Sequence, residues 1–398
     1  MVFNWEQRKL SDVANHRGGT AIEKYFDDNG PYKVISIGSY GLDSKYVDQN
    51  IRALSNDTTD GRVVHSGELT MVLNDKTANG TIIGRSLLIE QDNEYVINQR
   101  TEIVSPKENL NADFAYTVLN GPFREKVKRI VQGGTQIYVN YPAVERLILE
   151  LPNIDEQKKI GDFFKNLDTT IALHQQKYDQ LIQLKKAYLD LMFPKTGEST
   201  PQVRFADFHD NWEQRKVFHY GEKTYGGGTP KTSIKEFWNG ELPWIQSSDL
   251  SNHQVYNVNV RKKITSIGLE KSAAKLIPKN SIAIVTRVGV GKVALIPFNY
   301  TTSQDFLSLS NLKINKWFAV YSLYKKMQKE VNTVQGTSIK GITKEELLQK
   351  NIRIPISVTE QSRIGNFLKS LDWTITLHQK KIASLKSLKQ AYLQKMFV

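Results

Sequence analysis

The residues whose types and spacing could do chemistry are few, and each lacks a necessary neighbour. Arg287-Val288-Gly289-Val290-Gly291-Lys292-Val293 ends like a phosphate-binding loop. That loop needs a glycine where Thr286 stands and a Mg²⁺-binding hydroxyl where Val293 stands. Glu156-x-Lys158 has the spacing of a nuclease metal site, but it opens a helix and recurs as Glu360-x-Ser362. No Gly-x-Gly-x-x-Gly follows a strand pattern, and no Asn-Pro-Pro-Tyr or Asp-Pro-Pro-Tyr occurs. A dinucleotide or S-adenosylmethionine cradle and an amino-methyltransferase site are therefore not expected. The 7 histidines never stand four residues apart as paired ligands, and there are 0 cysteines. Disulfides, zinc-thiolate sites and cysteine nucleophiles are excluded, no metal site is expected, and nothing pairs a nucleophile with a base. The chain reads as a binding protein without a catalytic residue.

The elements that would position a binding surface come in two copies. Residues 156–193, EQKKIGDFFKNLDTTIALHQQKYDQLIQLKKAYLDLMF, recur at 360–397 as EQSRIGNFLKSLDWTITLHQKKIASLKSLKQAYLQKMF, offset by 204 residues without a gap. Upstream, Asn4-Trp5-Glu6-Gln7-Arg8-Lys9-Leu10 recurs as Asn211-Trp212-Glu213-Gln214-Arg215-Lys216-Val217. The stretches between are unlike. A repeated frame with different filling is suited to presenting two different surfaces.

Each repeated tail is a helix by periodicity. Ile160, Phe164, Leu167, Ile171, His174, Tyr178 and Leu181 step by four and three, continuing through Lys185, Tyr188 and Met192. The second copy gives Ile364, Leu368, Leu371, Ile375, His378, Ile382 and Leu385, then Lys389, Tyr392 and Met396. That seam of about five heptads is the pattern of a coiled coil. Asp155 and Thr359 are the expected N-caps, and Pro194 marks the first stop. The polar seam histidines read as register devices rather than metal ligands. Antiparallel pairing of the two copies is expected, because the first helix must hand the chain to a globular segment at its far end.

The intervening segments look α+β. Strands are expected at Tyr32–Ile37, Glu68–Leu73, Ile82–Ile89, Tyr95–Ile97, Ser281–Arg287 and Lys292–Ile296, and helices at Phe114–Leu119 and Trp317–Lys329. The expected divisions are globular segments 1–153 and 195–355 and helical segments 154–194 and 356–398. Each globular segment opens with a Gly-Thr turn, Gly18-Gly19-Thr20 and Gly226-Gly227-Gly228-Thr229-Pro230, which could cradle an anion or simply turn the chain. The net charge of +13 is uneven. Residues 1–154 carry 17 basic and 20 acidic side chains, whereas residues 194–358 carry 24 and 13. A basic second half suits a polyanion. The first half would depend on local clusters such as Arg124, Lys126, Lys128 and Arg129. No apolar run reaches 18 residues and no signal-peptide core opens the chain, so a soluble cytoplasmic protein without membrane contact is expected.

At this point the chain resembles the specificity subunit of Type I restriction–modification systems. The doubled Pro-x(3–4)-Glu-Gln-x-x-Ile-Gly-x-Phe-[Phe/Leu]-Lys-x-Leu-Asp phrase carries the resemblance, with Pro201-Gln-Val-Arg-Phe-Ala-Asp-Phe leading to Trp212. Gly227-Gly-Thr-Pro230, Leu242-Pro-Trp-Ile-Gln-Ser-Ser-Asp249, Ser272-Ala-Ala-Lys-Leu-Ile-Pro278, Arg287-x-Gly-x-Gly-Lys292 and Gln335-Gly-Thr-Ser338 add to it. The first globular segment departs most, lacking a proline after Gly18-Gly19-Thr20.

The resemblance implies two target recognition domains, each reading half of a bipartite asymmetric DNA sequence. It implies a pseudo-twofold fold with an antiparallel helical spacer. Two adenine-N6 methyltransferase subunits would dock on this chain and carry the restriction subunits. S-adenosylmethionine, ATP and Mg²⁺ would belong to those partners, with no cofactor here. Base edges would be read by arginine, lysine and amide side chains. The candidates are Arg17, Thr20, Lys76, Arg85, Gln132, Thr135 and Gln136 in the first segment. In the second they are Tyr225, Thr229, Lys231, Thr232, Ser247, Arg287, Lys292, Gln335, Thr337, Ser338 and Lys340. A stand-alone tandem DNA-binding protein of architectural or regulatory role is the alternative; a coiled-coil scaffold joining two protein-binding domains is a third.

Overall fold

Residues 5–333 and 341–397 are described by a computed structural model. It has two compact units, Met1–His174 with Lys381–Val398, and Gln175–Lys380. The boundary cuts across both long helices, Ile154–Leu191 and Val358–Met396. Each unit therefore holds the start of one helix and the end of the other.

The two units repeat one order of elements. In the first, strand Glu6–Lys9 pairs antiparallel with Ile148–Leu151, and in the second Glu213–Lys216 pairs antiparallel with Asn351–Ile354. The repeated Glu-Gln-Arg-Lys phrase thus closes each globular segment by pairing with the strand that leads into a long helix. Between these strands each unit has a four-stranded antiparallel sheet. Its order is Ala14–Gly18, Thr101–Pro106, Leu69–Val72, Ser86–Leu88 in the first. In the second it is Gly221–Gly226, Phe306–Leu312, Ser281–Val285, Val293–Ile296. A helix covers each sheet, Ala112–Asn120 and Lys316–Thr333. The strand expected over Ile82–Ile89 is confined to Ser86–Leu88, because Gly84 turns the chain at φ +71° before it.

The repeated Glu-Gln-x-x-Ile-Gly phrase has the same job in both units. Gln157 accepts from the Asn111 amide at 3.0 Å and donates to the Pro152 carbonyl at 3.0 Å. Gln361 does so with Asn315 at 2.9 Å and Pro355 at 2.9 Å. One amide side chain ties the start of the long helix to the start of the covering helix. Gly161 and Gly365 permit the approach: a Cβ there would lie 2.8 Å from the Phe114 nitrogen and 2.6 Å from the Phe318 nitrogen. The N-caps differ from expectation. Asn153 accepts from the Glu156 amide at 2.9 Å and Ser357 from the Glu360 amide at 3.3 Å, so Asp155 and Thr359 fall in the first turn.

Within each unit the long helices run antiparallel. In the second, Tyr188 meets Phe367 at 4.8 Å and Lys185 reaches Asp372 at 2.6 Å. In the first, Phe163 meets Tyr392 at 5.2 Å and Lys389 reaches Asp168 at 2.6 Å. Residue numbers rise on one helix as they fall on the other. The seam lysines are thus answered by repeat-related aspartates. Leu167, Leu181, Ile375, Ile382 and Leu385 are buried, and Ile171, Tyr178 and Leu371 are half-buried. His174 and His378 are also half-buried, and no three metal-ligating side chains converge among the described residues. The seam is shorter than five heptads of helix pairing. Ile160 and Phe164 join the core of the first globular segment, and Ile364 and Leu368 that of the second.

An aromatic triad fastens the end of one helix into each core. In the first unit Trp5, Phe114 and Phe397 meet with centroids 5.5 to 6.5 Å apart. In the second, Trp212, Phe318 and Phe193 do so at 5.5 to 6.1 Å. Phe397 thereby stands beside Trp5. A chain joined from Phe397 to Asn4 by a short flexible linker and opened within residues 195–198 should fold, with a melting temperature within a few degrees of the original. Thermal unfolding followed by circular dichroism would check it.

Candidate nucleic-acid interface

In the first unit, a small sheet gathers one set of candidates. Asn74–Asp75 pairs with Ile137–Tyr138, which pairs with Gln132–Gly133. This brings Lys76 beside the hairpin that carries Gln132, Thr135 and Gln136, all exposed. Gly133 takes φ +101°, and a Cβ there would lie 2.2 Å from the Gln136 carbonyl, so only glycine fits this turn. Asp75 is buried and binds the Thr77 and Ile82 amides at 2.9 and 2.8 Å, fixing the loop after Lys76. Tyr138, 37% exposed on the same sheet, belongs to this surface and was missed; its signal was alternation with buried Ile137 and Val139.

Other candidates of the first unit are tied internally. Arg17 donates to the Glu68 carboxylate at 2.7 and 2.9 Å and to the Val63 carbonyl at 3.2 Å. Arg85 donates to the Thr81 carbonyl and to Ser44 at 3.0 and 2.9 Å, and burial lowers its pKa. Both are half-buried, with part of each guanidinium held by these internal partners. The cluster Arg124, Lys126, Lys128, Arg129 also dissolves. Arg124 is buried and donates to the carbonyls of Gly80, Thr81 and Ile83 at 2.8 to 2.9 Å; burial holds its pKa down at about 10. Lys126 binds the Ile148 carbonyl and Lys128 pairs with Glu125, which leaves Arg129 exposed.

The Gly-Thr turns lie in close contact with neighbouring backbone. The Gly19 amide donates to the Thr101 carbonyl at 2.9 Å, and the Gly228 amide to the Thr302 carbonyl at 2.9 Å. A Cβ on Gly19 would lie 2.0 Å from the Asn98 carbonyl, and one on Gly227 would lie 1.8 Å from the Ser303 carbonyl. Thr20 is half-buried in a bridge with Asn98.

In the second unit the hairpin turn between Ser281–Val285 and Val293–Ile296 carries Arg287, Val288 and Lys292. Gly289 and Gly291, at φ +85° and +105°, make it possible. Arg287 is exposed and Val288 is 72% exposed at the tip. Lys292 donates to the Ser247 carbonyl at 2.9 Å, joining those two candidates while occupying the lysine. Thr229 donates to Gln304 at 2.5 Å; the Asp305 carbonyl accepts from the Thr286 amide at 2.8 Å, placing both groups at adjacent strand ends. Tyr225 is half-buried against the sheet core. Lys231 and Thr232 are exposed beside a cluster that was missed: Trp238 and Trp244 meet edge-on at 5.0 Å with the Lys262 ammonium within 5.7 and 5.8 Å of their rings. Its sequence signal was the Arg261-Lys262-Lys263 run. Gln335, Thr337, Ser338 and Lys340 lie outside the described residues.

Two unlike polar surfaces on a common frame match a known class. The model of the Type I restriction modification DNA specificity domain matches residues 3–183 and again 209–387, and the chain belongs to that family. The Type I restriction enzyme EcoR124I/EcoR124II specificity subunit of Escherichia coli is 33% identical over 204 residues, 46% of this chain and 50% of that one. The MjaIX specificity subunit of Methanocaldococcus jannaschii is 28% identical over 196 residues, 47% and 44% of the two. The matched stretch thus spans about half the length of these relatives. The HindI specificity subunit of Haemophilus influenzae is 22% identical over 378 residues, covering 77% of this chain and 79% of its own. Among solved structures, the Type I system S subunit from M. genitalium aligns over 100% of this chain and 97% of its own, with a TM-score of 0.69 and 14% identity, a likeness of fold. No helix among the described residues is long and apolar enough to cross a membrane.

Proposed function

We propose that this chain is the DNA-recognition subunit of a Type I restriction–modification complex and carries no catalytic centre of its own. The observation that carries the reading is the doubled specificity domain, whose copies share helices, closing strands and aromatic triads yet expose different polar surfaces. The recognition domains are residues 1–153 and 195–355, each reading part of a bipartite asymmetric duplex target. Residues 154–194 and 356–398 form the spacer; unbroken helices of 38 and 39 residues support that role. Two adenine-N6 methyltransferase subunits dock on the chain and bring the restriction subunits. S-adenosylmethionine, ATP and Mg²⁺ act in those partners, and the assembly works in the cytoplasm.

The exposed Arg287 is suited to a bidentate contact with guanine, and Val288 to a thymine methyl in the major groove. Arg287→Ala should weaken specific DNA binding by about 1–3 kcal/mol, roughly 5- to 150-fold, without loss of methyltransferase docking. Fluorescence anisotropy across a salt series checks this, since a lost phosphate contact also flattens the salt slope by about 0.9. Unchanged affinity would remove Arg287 from the interface.

A further inference from the structure

In the second unit, a cavity of about 690 Å³ opens beside the end of the first long helix. Lys195, Lys325, Lys326, Lys329 and Arg353 line it with, among the described residues, one carboxylate, Asp190. Buried Phe193 and Ser322 form its floor. Helix Lys316–Thr333 supplies three of the lysines, the closing strand Asn351–Ile354 the arginine, and the turn after Pro194 the remaining lysine. Lys325 donates to the Leu189 and Asp190 carbonyls at 2.7 and 3.1 Å, which anchors its ammonium at the helix end. Lys329 donates to the Thr196 hydroxyl and ties the turn to the covering helix, and Lys326 pairs with Glu330 at 3.0 Å. Burial lowers the Lys325 pKa; Asp190 opposes that shift, and the Lys329 and Lys195 charges add to it. Cations crowded in this way repel one another, and a bound anion would relieve the repulsion.

The shared frame does not require these charges. With the covering helices matched through Phe114 and Phe318, Gly121, Pro122 and Glu125 stand where Lys325, Lys326 and Lys329 do. The match is spatial as well: a Cβ on Gly121 would lie 3.4 Å from Leu393, the repeat counterpart of Leu189, whose carbonyl Lys325 binds. The closing strands set Glu150 in the place of Arg353, since Gln7 pairs with Glu150 and Gln214 with Arg353. Two acids, a glycine and a proline thus occupy in the first unit the places of four cations in the second.

We propose that this cavity is a binding site for a compact free anion bearing two or more adjacent phosphate groups. Converging lysines hold phosphate as point charges, and a guanidinium can take two oxygens at once. A nucleic-acid backbone carries the same phosphates, but two observations favour the compact form. The cavity is walled by the turn 194–197 and floored by buried side chains. Its charges are also confined to one unit, whereas a duplex offers its phosphates to both alike.

Isothermal titration calorimetry of the full chain with inorganic tripolyphosphate tests the site. One equivalent should bind, about tenfold or more tighter than orthophosphate, because linked phosphates engage several cations at once. Lys195→Gln combined with Lys329→Gln should weaken tripolyphosphate about tenfold or more. Lys177→Gln combined with Lys380→Gln removes the same charge from exposed positions on the long helices, outside the cavity lining, and should leave binding unchanged. The cavity variant should bind mixed-sequence duplex DNA as well as that control pair does. Should the double variant fail to fold by circular dichroism, Lys195→Gln alone, in an exposed turn, makes the same comparison. Absence of tripolyphosphate binding, or equal weakening by the two pairs of substitutions, would overturn the proposal. So would a cavity variant that loses duplex affinity beyond the control, since these cations would then serve the nucleic-acid backbone.

Discussion

Asp372→Leu should destabilise the second unit by about 3–5 kcal/mol, because it strands a buried ammonium. Lys185 and Asp372 are 6% and 1% exposed, and Asp372 also accepts from the Tyr321 hydroxyl at 2.6 Å. After the substitution Lys185 would keep the His253 carbonyl, at 2.7 Å, as its hydrogen-bond acceptor. Lys185→Met combined with Asp372→Leu should recover most of the loss, since a matched apolar pair has no charge to desolvate. Asp168→Leu in the first unit removes the repeat-related pair, whose side chains are each 29% exposed, and should cost about 1 kcal/mol or less. Burial raises the Asp372 pKa against the lowering effect of Lys185. The native state then holds that proton more tightly than the unfolded chain does. The contribution of Asp372 to stability therefore falls as pH rises from the ordinary aspartate value through the raised native one. Asp372→Asn should flatten this slope. Urea unfolding at a series of pH values checks both expectations.

Phe318→Ala should cost about 3–5 kcal/mol in the second unit, and Phe114→Ala a similar amount in the first. Both rings are 0% exposed, and each holds a tryptophan just before an entry strand against a phenylalanine just beyond a long helix. Each loss should appear in its own unit: hydrogen exchange should accelerate around residues 69–72 and 101–106 for Phe114→Ala, and around 281–296 and 306–312 for Phe318→Ala. Equal acceleration in both units would show that the triads do not act locally.

The frame was legible in the sequence because its signals are local and doubled. The four-three stepping from Ile160 and Ile364 marks the helices, and the offset of 204 matches Lys185 with Lys389 and Asp168 with Asp372. Where the seam leaves the partner helix for the globular core was not legible, since Ile160 and Phe164 look the same in either setting. The recognition surface was less legible, for one physical reason. An arginine reads alike in sequence whether it is fully exposed or partly held by an internal partner. Arg17 is taken by Glu68, 51 residues away, and Arg85 by Ser44, 41 away, partnerships that only the tertiary fold creates. Arg287 stays exposed because two glycines at positive φ turn the hairpin tightly around it. Gly19 and Gly227 belong to packing, since carbonyls of neighbouring segments come within 2.0 and 1.8 Å of where a Cβ would sit.

The central claim is that this chain alone sets which DNA sequence its complex marks, one half through each unit. Mapping N6-methyladenine across the genome of cells carrying the system tests it most directly, with this chain intact, deleted, or carrying a foreign segment in place of residues 213–354. The expected result is one bipartite asymmetric motif that vanishes on deletion and changes in a single half on exchange. A methylation pattern that survives deletion, or an exchange that alters both halves, would contradict it.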